Sequence, residues 1–147
     1  MGMTTDDLAD YFERIAPSSL AESWDNPGWQ VRVPAAGVRG ILLAMDATPA
    51  VLEEASSLGC DVVFTHHPAI FKPIKSLDLG QPRAAILGDA IRRGISIWSA
   101  HTNLDVMPDG TSAALARALG LSNATVLART QAREYKITVY VPVDNAE

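Results

Sequence analysis

Two kinds of hydrophobic pattern alternate along most of the chain. Runs of consecutive apolar residues predict strands buried on both faces, and they lie at 40–47, 61–65 and 95–100. Segments with apolar residues at helical spacing follow these runs, at 48–59, 81–94 and 110–120. Strands and helices in this order are typical of βαβ units. The pattern therefore predicts an α/β fold with a largely parallel sheet and helices on both of its faces.

The two ends of the chain have patterns of their own. Residues 4–16 show apolar positions at helical spacing, which predicts a first helix, and a short strand is predicted at 29–33 after a loop rich in Pro and Gly. Further strands are predicted at 125–127 and 135–142. We interpret residues 1–130 as one α/β metal-binding domain and residues 131–147 as the incomplete start of a second or inserted lobe.

The composition and charge of the chain argue against several classes of function. The chain has 147 residues, of which 48% are hydrophobic, so a single domain can bury a substantial core. The net charge of -5 argues against duplex nucleic acid, because phosphate binding requires clustered Lys and Arg. No apolar run approaches the roughly 20 residues of a membrane span, and the acidic N-terminus is unlike a signal peptide. With a single cysteine, Cys60, these features predict a cytoplasmic protein.

Candidate metal ligands follow the predicted strands. Asp46 follows the first apolar run, His66 and His67 follow the second, and His101 follows the third, with Asp105 four residues later. Because the carboxyl ends of parallel strands meet at one edge of the sheet, we expect these side chains to lie close together. The chain holds only three histidines, and all three are in this set.

Imidazole and carboxylate together are the ligands that zinc, manganese and iron prefer. Neighbouring histidines at a strand end could each bind a different ion of a pair, with Asp105 as a bridging carboxylate. Two ions need about three protein ligands each, which is more than this set supplies. Three alternatives follow: one ion, ligands from sequence not present here, or ligands from a second chain.

Other residues have both a structural and a functional interpretation. Asp46 is as easily a turn cap as a residue that orients a ligand, and Lys72 and Lys75 either stay solvated or hold an anionic substrate. The three tryptophans are predicted to be packing residues: Trp24, Trp29 and Trp98. The sequence contains none of the motifs GxSxG, GxGxxG or the P-loop, so serine hydrolase, dinucleotide-binding and NTPase functions have no support.

Four motifs resemble one known family. The motifs SWDNPGWQV, LLAMDATPAVLEEA, DVVFTHHPAIFKPIKSL and SAHTNLDVMPDG are similar, in order and spacing, to those of the YbgI-like, Ngg-one-interacting-factor-three-like proteins. Members of this family are often catalogued as GTP cyclohydrolase 1 type 2 homologues. The resemblance implies an α/β protein with a dinuclear metal centre that assembles into a toroidal homohexamer.

The resemblance also implies roles for single residues. It makes His66, His67 and Asp105 metal ligands, and it makes His101 either a ligand or a neighbour that orients one. The family completes its centre with an HxxxE motif near the C-terminus, and no histidine follows His101 here. We therefore expect this chain to correspond to the N-terminal half of such a protein.

Two function hypotheses remain. The first is a metal-dependent hydrolase with two divalent ions per subunit in the complete protein, acting on a small molecule such as a nucleotide or phosphoester. The second is a non-catalytic, metal-binding oligomeric scaffold or adaptor. An open position at the centre would favour catalysis, and a centre closed by protein ligands would favour the scaffold.

Overall fold

The computed structural model describes residues 2–35 and 37–126, and in this part of the chain it contains a four-stranded sheet. The strands are β1 (Gly28–Val31), β2 (Ile41–Ala44), β3 (Val62–Thr65) and β4 (Ser96–Ser99). The helices are α1 (Thr5–Ile15), α2 (Pro49–Ser57), α3 (Pro82–Arg93), α4 (Thr102–Asp105) and α5 (Thr111–Ala118), with a 3-10 turn at Ser18–Leu20. None of the described helices combines the length and the apolar character needed to cross a membrane.

The helix boundaries follow the capping signals of the sequence. Thr4 caps α1: its hydroxyl accepts from the backbone N–H of Asp7 at 3.1 Å, while the Asp7 carboxylate accepts from the Thr4 N–H at 2.8 Å. Thr48 caps α2 through its hydroxyl, which accepts from the backbone N–H of Val51 at 3.2 Å, and Pro49 lies in the first turn. Gly94 ends α3 in the left-handed conformation, with φ of 70°.

The strand order is β1-β4-β3-β2. The strands β2, β3 and β4 are parallel, and β1 is antiparallel to β4. In the parallel part Ala44 pairs with Thr65 and Thr65 pairs with Ser99, so all three strands end at the same level. This confirms the predicted α/β fold with a largely parallel sheet.

Helices cover both faces of the sheet. On one face α2 and α3 enclose a core in which eight buried residues pack together: Val31, Leu52, Ala55, Val63, Leu87, Ala90, Ile95 and Ile97. On the other face α1 packs Leu8 and Phe12 against Val62 and Trp98. Fully burying one such aliphatic side chain stabilises the fold by roughly 1.5–3 kcal/mol.

The prediction that the first apolar run is buried on both faces was wrong. β2 is an edge strand, and on the α1 side of the sheet Leu43 is 73% exposed while Ile41 is 38% exposed. The reason is that α1 packs over the centre of the sheet, on Val62 and Trp98, and does not reach β2. Only the opposite side of β2, with Leu42, packs against a core.

Two predictions concern the end of the chain. Thr125 and Val126 are in no strand in the structure, and Leu127 lies outside the described residues. The strand predicted at 135–142 and the domain boundary predicted at 130 also lie outside them.

An ion pair links the segments that precede β2 and β3. The Asp61 carboxylate accepts from the Arg39 backbone N–H at 2.7 Å and from the Arg39 guanidinium at 2.6 Å. The Asp61 side chain is only 15% exposed. Hydrogen bonding from the Arg39 guanidinium, aided by the Arg39 N–H and outweighing the effect of burial, holds the pKa of Asp61 below its ordinary value.

Replacing Asp61 with asparagine is expected to lower the free energy of unfolding at neutral pH by about 1 kcal/mol, since Arg39 is mostly exposed and solvent screens the pair. The folded-state pKa is depressed, so the contribution is present above the unfolded pKa and is lost as the pH falls through the folded pKa. Urea unfolding between about pH 7 and pH 3 should therefore show the difference between wild type and D61N narrowing in acid.

The matched control is Asp109→Asn, because Asp109 pairs with Arg117 at 3.4 Å but has a 96% exposed side chain. This variant should be close to wild type at every pH. A D61N deficit that is constant across the pH range would show that the ion pair is not its cause.

Candidate metal centre

The carboxyl ends of β3 and β4 bring the histidines to one edge of the sheet. His66 and His67 directly follow β3, and their backbone N–H groups donate to Ala44 O at 3.2 Å and Met45 O at 2.9 Å, which extends the pairing with β2. The buried hydroxyls of Thr65 and Ser99 lie 2.7 Å apart between β3 and β4. Thr65 also donates to His67 O at 3.0 Å, which fixes the turn after the strand.

The three imidazole rings form a compact cluster. The ring centroids of His66 and His67 are 5.1 Å apart, those of His66 and His101 5.2 Å, and those of His67 and His101 5.7 Å. One ring nitrogen of each histidine lies within 4.8 Å of those of the other two, so the three together could hold a metal ion. The fold thus brings His66 and His67, which follow β3, close to His101, which follows β4.

Each ring is held through its Nδ1 atom. His66 Nδ1 lies 3.0 Å from Ala100 O, His67 Nδ1 lies 2.9 Å from Asp46 Oδ1, and His101 Nδ1 lies 2.9 Å from Asp25 Oδ1. A carbonyl or an ionised carboxylate only accepts hydrogen bonds, so each Nδ1 must carry the proton. In the neutral ring this leaves the Nε2 lone pair free, which is the form in which histidine binds a metal. The donor set therefore fits a divalent ion.

Asp25 is the residue that fixes His101. Its side chain is 0% exposed, and besides the His101 ring it accepts from the backbone N–H of Thr102 at 3.0 Å and from the Thr102 hydroxyl. Burial alone would raise the pKa of Asp25, but hydrogen bonds from Thr102, His101 and Asn26 outweigh burial and hold the pKa below its ordinary value. A buried, ionised carboxylate thus anchors both His101 and the start of α4.

Asp105 lies at the flank of the cluster. It is the last residue of α4, and its Oδ1 atom is 3.6 Å from His66 Nε2. The hydroxyl of Thr111, the first residue of α5, donates to the same carboxylate oxygen. Asp105 therefore lies beside His66, and its carboxylate is not among the three groups that lie within 4.8 Å of one another.

The structure decides between some of the open interpretations. Among the bonds of the described residues, the Asp46 carboxylate contacts the His67 ring rather than the turn before Thr48, which favours the orienting role. The loop that carries Lys72 and Lys75 is exposed, as predicted. The prediction that Trp24 is a packing residue was wrong, because the residue is 56% exposed and its ring lies beside the histidine cluster.

Sequence reasoning missed Asp25. The residue lies 76 positions before His101, in a loop before β1, and no local periodicity connects the two. The link arises because β1 joins the sheet next to β4, which brings the preceding loop to the same edge. The available signal was the motif SWDNPGWQV, which contains Asp25 and is one of the four motifs on which the family resemblance rests.

Comparisons with known proteins agree with this architecture. The family model described as Duf34/NIF3 (NGG1p interacting factor 3) matches residues 3–146. A Staphylococcus aureus (strain COL) protein named GTP cyclohydrolase 1 type 2 homolog is 38% identical over 139 residues, which cover 95% of this chain and 38% of that protein. A Bacillus subtilis protein of the same name is 33% identical over 137 residues, covering 92% of this chain and 37% of that one.

A solved structure shows the same fold. The crystal structure of a Bacillus cereus protein related to NIF3 has a TM-score of 0.82 and 38% sequence identity, and the match covers 87% of this chain and 35% of that chain. The chain thus spans less than two-fifths of the length of these relatives. The match to nearly the whole chain confirms the resemblance found in the motifs: the protein belongs to the Duf34/NIF3 (NGG1p interacting factor 3) family.

Proposed function

We propose that this protein is a metal-dependent hydrolase of the phosphoester class, with its centre at the edge formed by β3 and β4. His66, His67 and His101 are the proposed metal ligands, with Asp105 as a fourth. A divalent ion, whether zinc, iron or manganese, would supply Lewis acidity that activates water and polarises a phosphoryl oxygen. With these four protein donors, a five- or six-coordinate ion would keep a position open for water, and the second ion expected from the family resemblance needs donors beyond this set.

Neighbouring side chains and one backbone carbonyl hold the proposed ligands in position. Asp46, Asp25 and the carbonyl of Ala100 each hold one ring by its Nδ1 atom, so the three Nε2 lone pairs are available without a proton having to leave. Thr111 steadies the Asp105 carboxylate from α5. Because these partners lie in place before any ligand arrives, little reorganisation is needed when an ion binds.

The single observation that favours catalysis over a closed structural site is the openness of the cluster. The His67 side chain is 48% exposed, while those of His66 and His101 are 15% and 18% exposed. The rings are therefore held from the protein side and reachable from the solvent side. A position for water or substrate is what separates a catalytic centre from a structural one.

The test is turnover by protein of defined metal content. The chain is stripped with chelator, reloaded with zinc, manganese or iron(II), and assayed with bis(4-nitrophenyl) phosphate and 4-nitrophenyl phosphate. We expect release of nitrophenolate that depends on the metal, is abolished by chelator and is absent in His67→Ala.

Two results would contradict the proposal in different ways. Protein that holds metal tightly but turns over none of the substrates would favour the oligomeric scaffold. Protein that binds no metal would reject both functions. The hexamer and the cytoplasmic location expected from the sequence stay predictions.

A further inference from the structure

An aromatic cleft lies beside the histidine cluster. It has a volume of about 400 Å³ and is lined by Trp24, Asp25, Asn26, Phe71 and Pro73. The Trp24 and Phe71 ring centroids are 5.8 Å apart, and both rings lie near His101, at 6.2 Å and 6.4 Å. Ligand pockets in proteins commonly have volumes of about 300–1,000 Å³ and aromatic walls.

Trp24 and Phe71 present apolar surface to solvent. Trp24 is 56% exposed and Phe71 is 37% exposed, whereas Trp98, an aromatic residue of the core, is 5% exposed. One exposed aromatic residue needs no explanation, because much of any protein surface is apolar. Two that line the same cleft, next to three histidines that could hold a metal, form a surface that suits a ligand.

The two loops that carry these rings are tied together. The Asn26 side-chain amide donates to Ile70 O at 2.6 Å, and Gln30 Oε1 accepts from the Ile70 N–H at 2.9 Å. Gln30 is 7% exposed, and its Nε2 atom donates to Asn26 O at 2.8 Å. The loop before β1 and the loop after β3 are thus fixed to each other at the residues next to Phe71 and Trp24. The aromatic wall is therefore built before a ligand binds.

We propose that Trp24 and Phe71 form the recognition site for a planar heteroaromatic ring of the substrate. This inference rests on the proposed function, since it makes the cleft and the metal centre two parts of one site. A phosphate at the histidine cluster and a ring on Trp24 describe a substrate of the nucleotide class. Indole and phenyl faces bind any flat base by stacking, and a base offers them more contact area than a sugar alone.

The experiment compares two probes that share a phosphate and differ in the ring, adenosine 5′-monophosphate and ribose 5-phosphate. Titration calorimetry on the zinc-loaded chain should show that the ring-bearing probe binds about tenfold more tightly or better. Trp24→Leu should remove most of this preference by weakening adenosine 5′-monophosphate alone, and Trp24→Phe should restore most of it. Zinc affinity should be the same in both variants and wild type, because Trp24 offers no metal ligand.

Failure of this inference and failure of the proposed function give different results. Without metal, ribose 5-phosphate should no longer bind, while adenosine 5′-monophosphate should still quench the fluorescence of Trp24. This quenching is assigned to Trp24 if the Trp24→Leu variant does not show it. Quenching without any effect of zinc would keep the ring site and reject the metal-dependent function. Equal affinity for the two probes, absence of binding by either, or equal weakening of both by Trp24→Leu would overturn the ring site, whatever the metal does.

Discussion

Replacing His67 with alanine is expected to weaken the binding of zinc by at least about 100-fold, because it removes one of three imidazole donors from an open site. The His67 ring is 48% exposed and contributes to neither core, so the variant should fold with nearly unchanged stability. Zinc titration with a competing chromophoric chelator measures the affinity, and urea unfolding checks the fold.

The matched variant is Asp46→Asn, which keeps the His67 ring but changes the group that holds its Nδ1 atom. Loss of such a supporting contact should weaken zinc binding by about 10-fold, which places the variant between wild type and His67→Ala. Equal zinc affinity in all three proteins would contradict the ligand assignment of His67. An Asp46→Asn affinity as low as that of His67→Ala would mean that Asp46 itself binds the ion.

Replacing Gly110 with alanine is expected to lower the free energy of unfolding by about 3 kcal/mol. A Cβ atom at this position would lie 1.8 Å from Leu104 O and 3.1 Å from Met107 O. These are backbone atoms, so no side chain can turn away to make room. The connection between α4 and α5 would have to move, and with it the contact between Asp105 and Thr111.

Gly37→Ala is the control for Gly110→Ala. A Cβ at Gly37 would meet no atom of the described residues within 4 Å. Its replacement should therefore leave stability unchanged or raise it slightly through the unfolded state. Chemical denaturation of both variants provides the comparison, and a Gly110→Ala variant as stable as Gly37→Ala would show that the tight approach to Leu104 does not exist in solution.

The sequence predicted most of the fold because its signals are local. Capping residues such as Thr4 and Thr48 and the terminator Gly94 mark helix ends by chemistry that acts within one turn. The meeting of His66, His67 and His101 follows from general topology, because parallel strands end at one edge. Those parts of the candidate site could be predicted without coordinates.

The parts that could not be predicted depend on long-range packing. An apolar run such as 41–44 looks the same at the centre and at the edge of a sheet, so the exposure of Leu43 was not foreseen. Asp25 reaches His101 only because β1 runs antiparallel beside β4, which hydrophobic periodicity does not specify. The apolar character of Trp24 predicts a packing residue and does not show that the ring lines a cleft.

X-ray absorption spectroscopy of the zinc-loaded protein tests most directly whether the histidines from β3 and β4 bind one ion. We expect nitrogen and oxygen ligands at about 2.0–2.1 Å with the outer-shell scattering of two or three imidazoles, and loss of one imidazole in His67→Ala. A spectrum without imidazole scattering, or one dominated by sulfur at about 2.3 Å from Cys60, would contradict it.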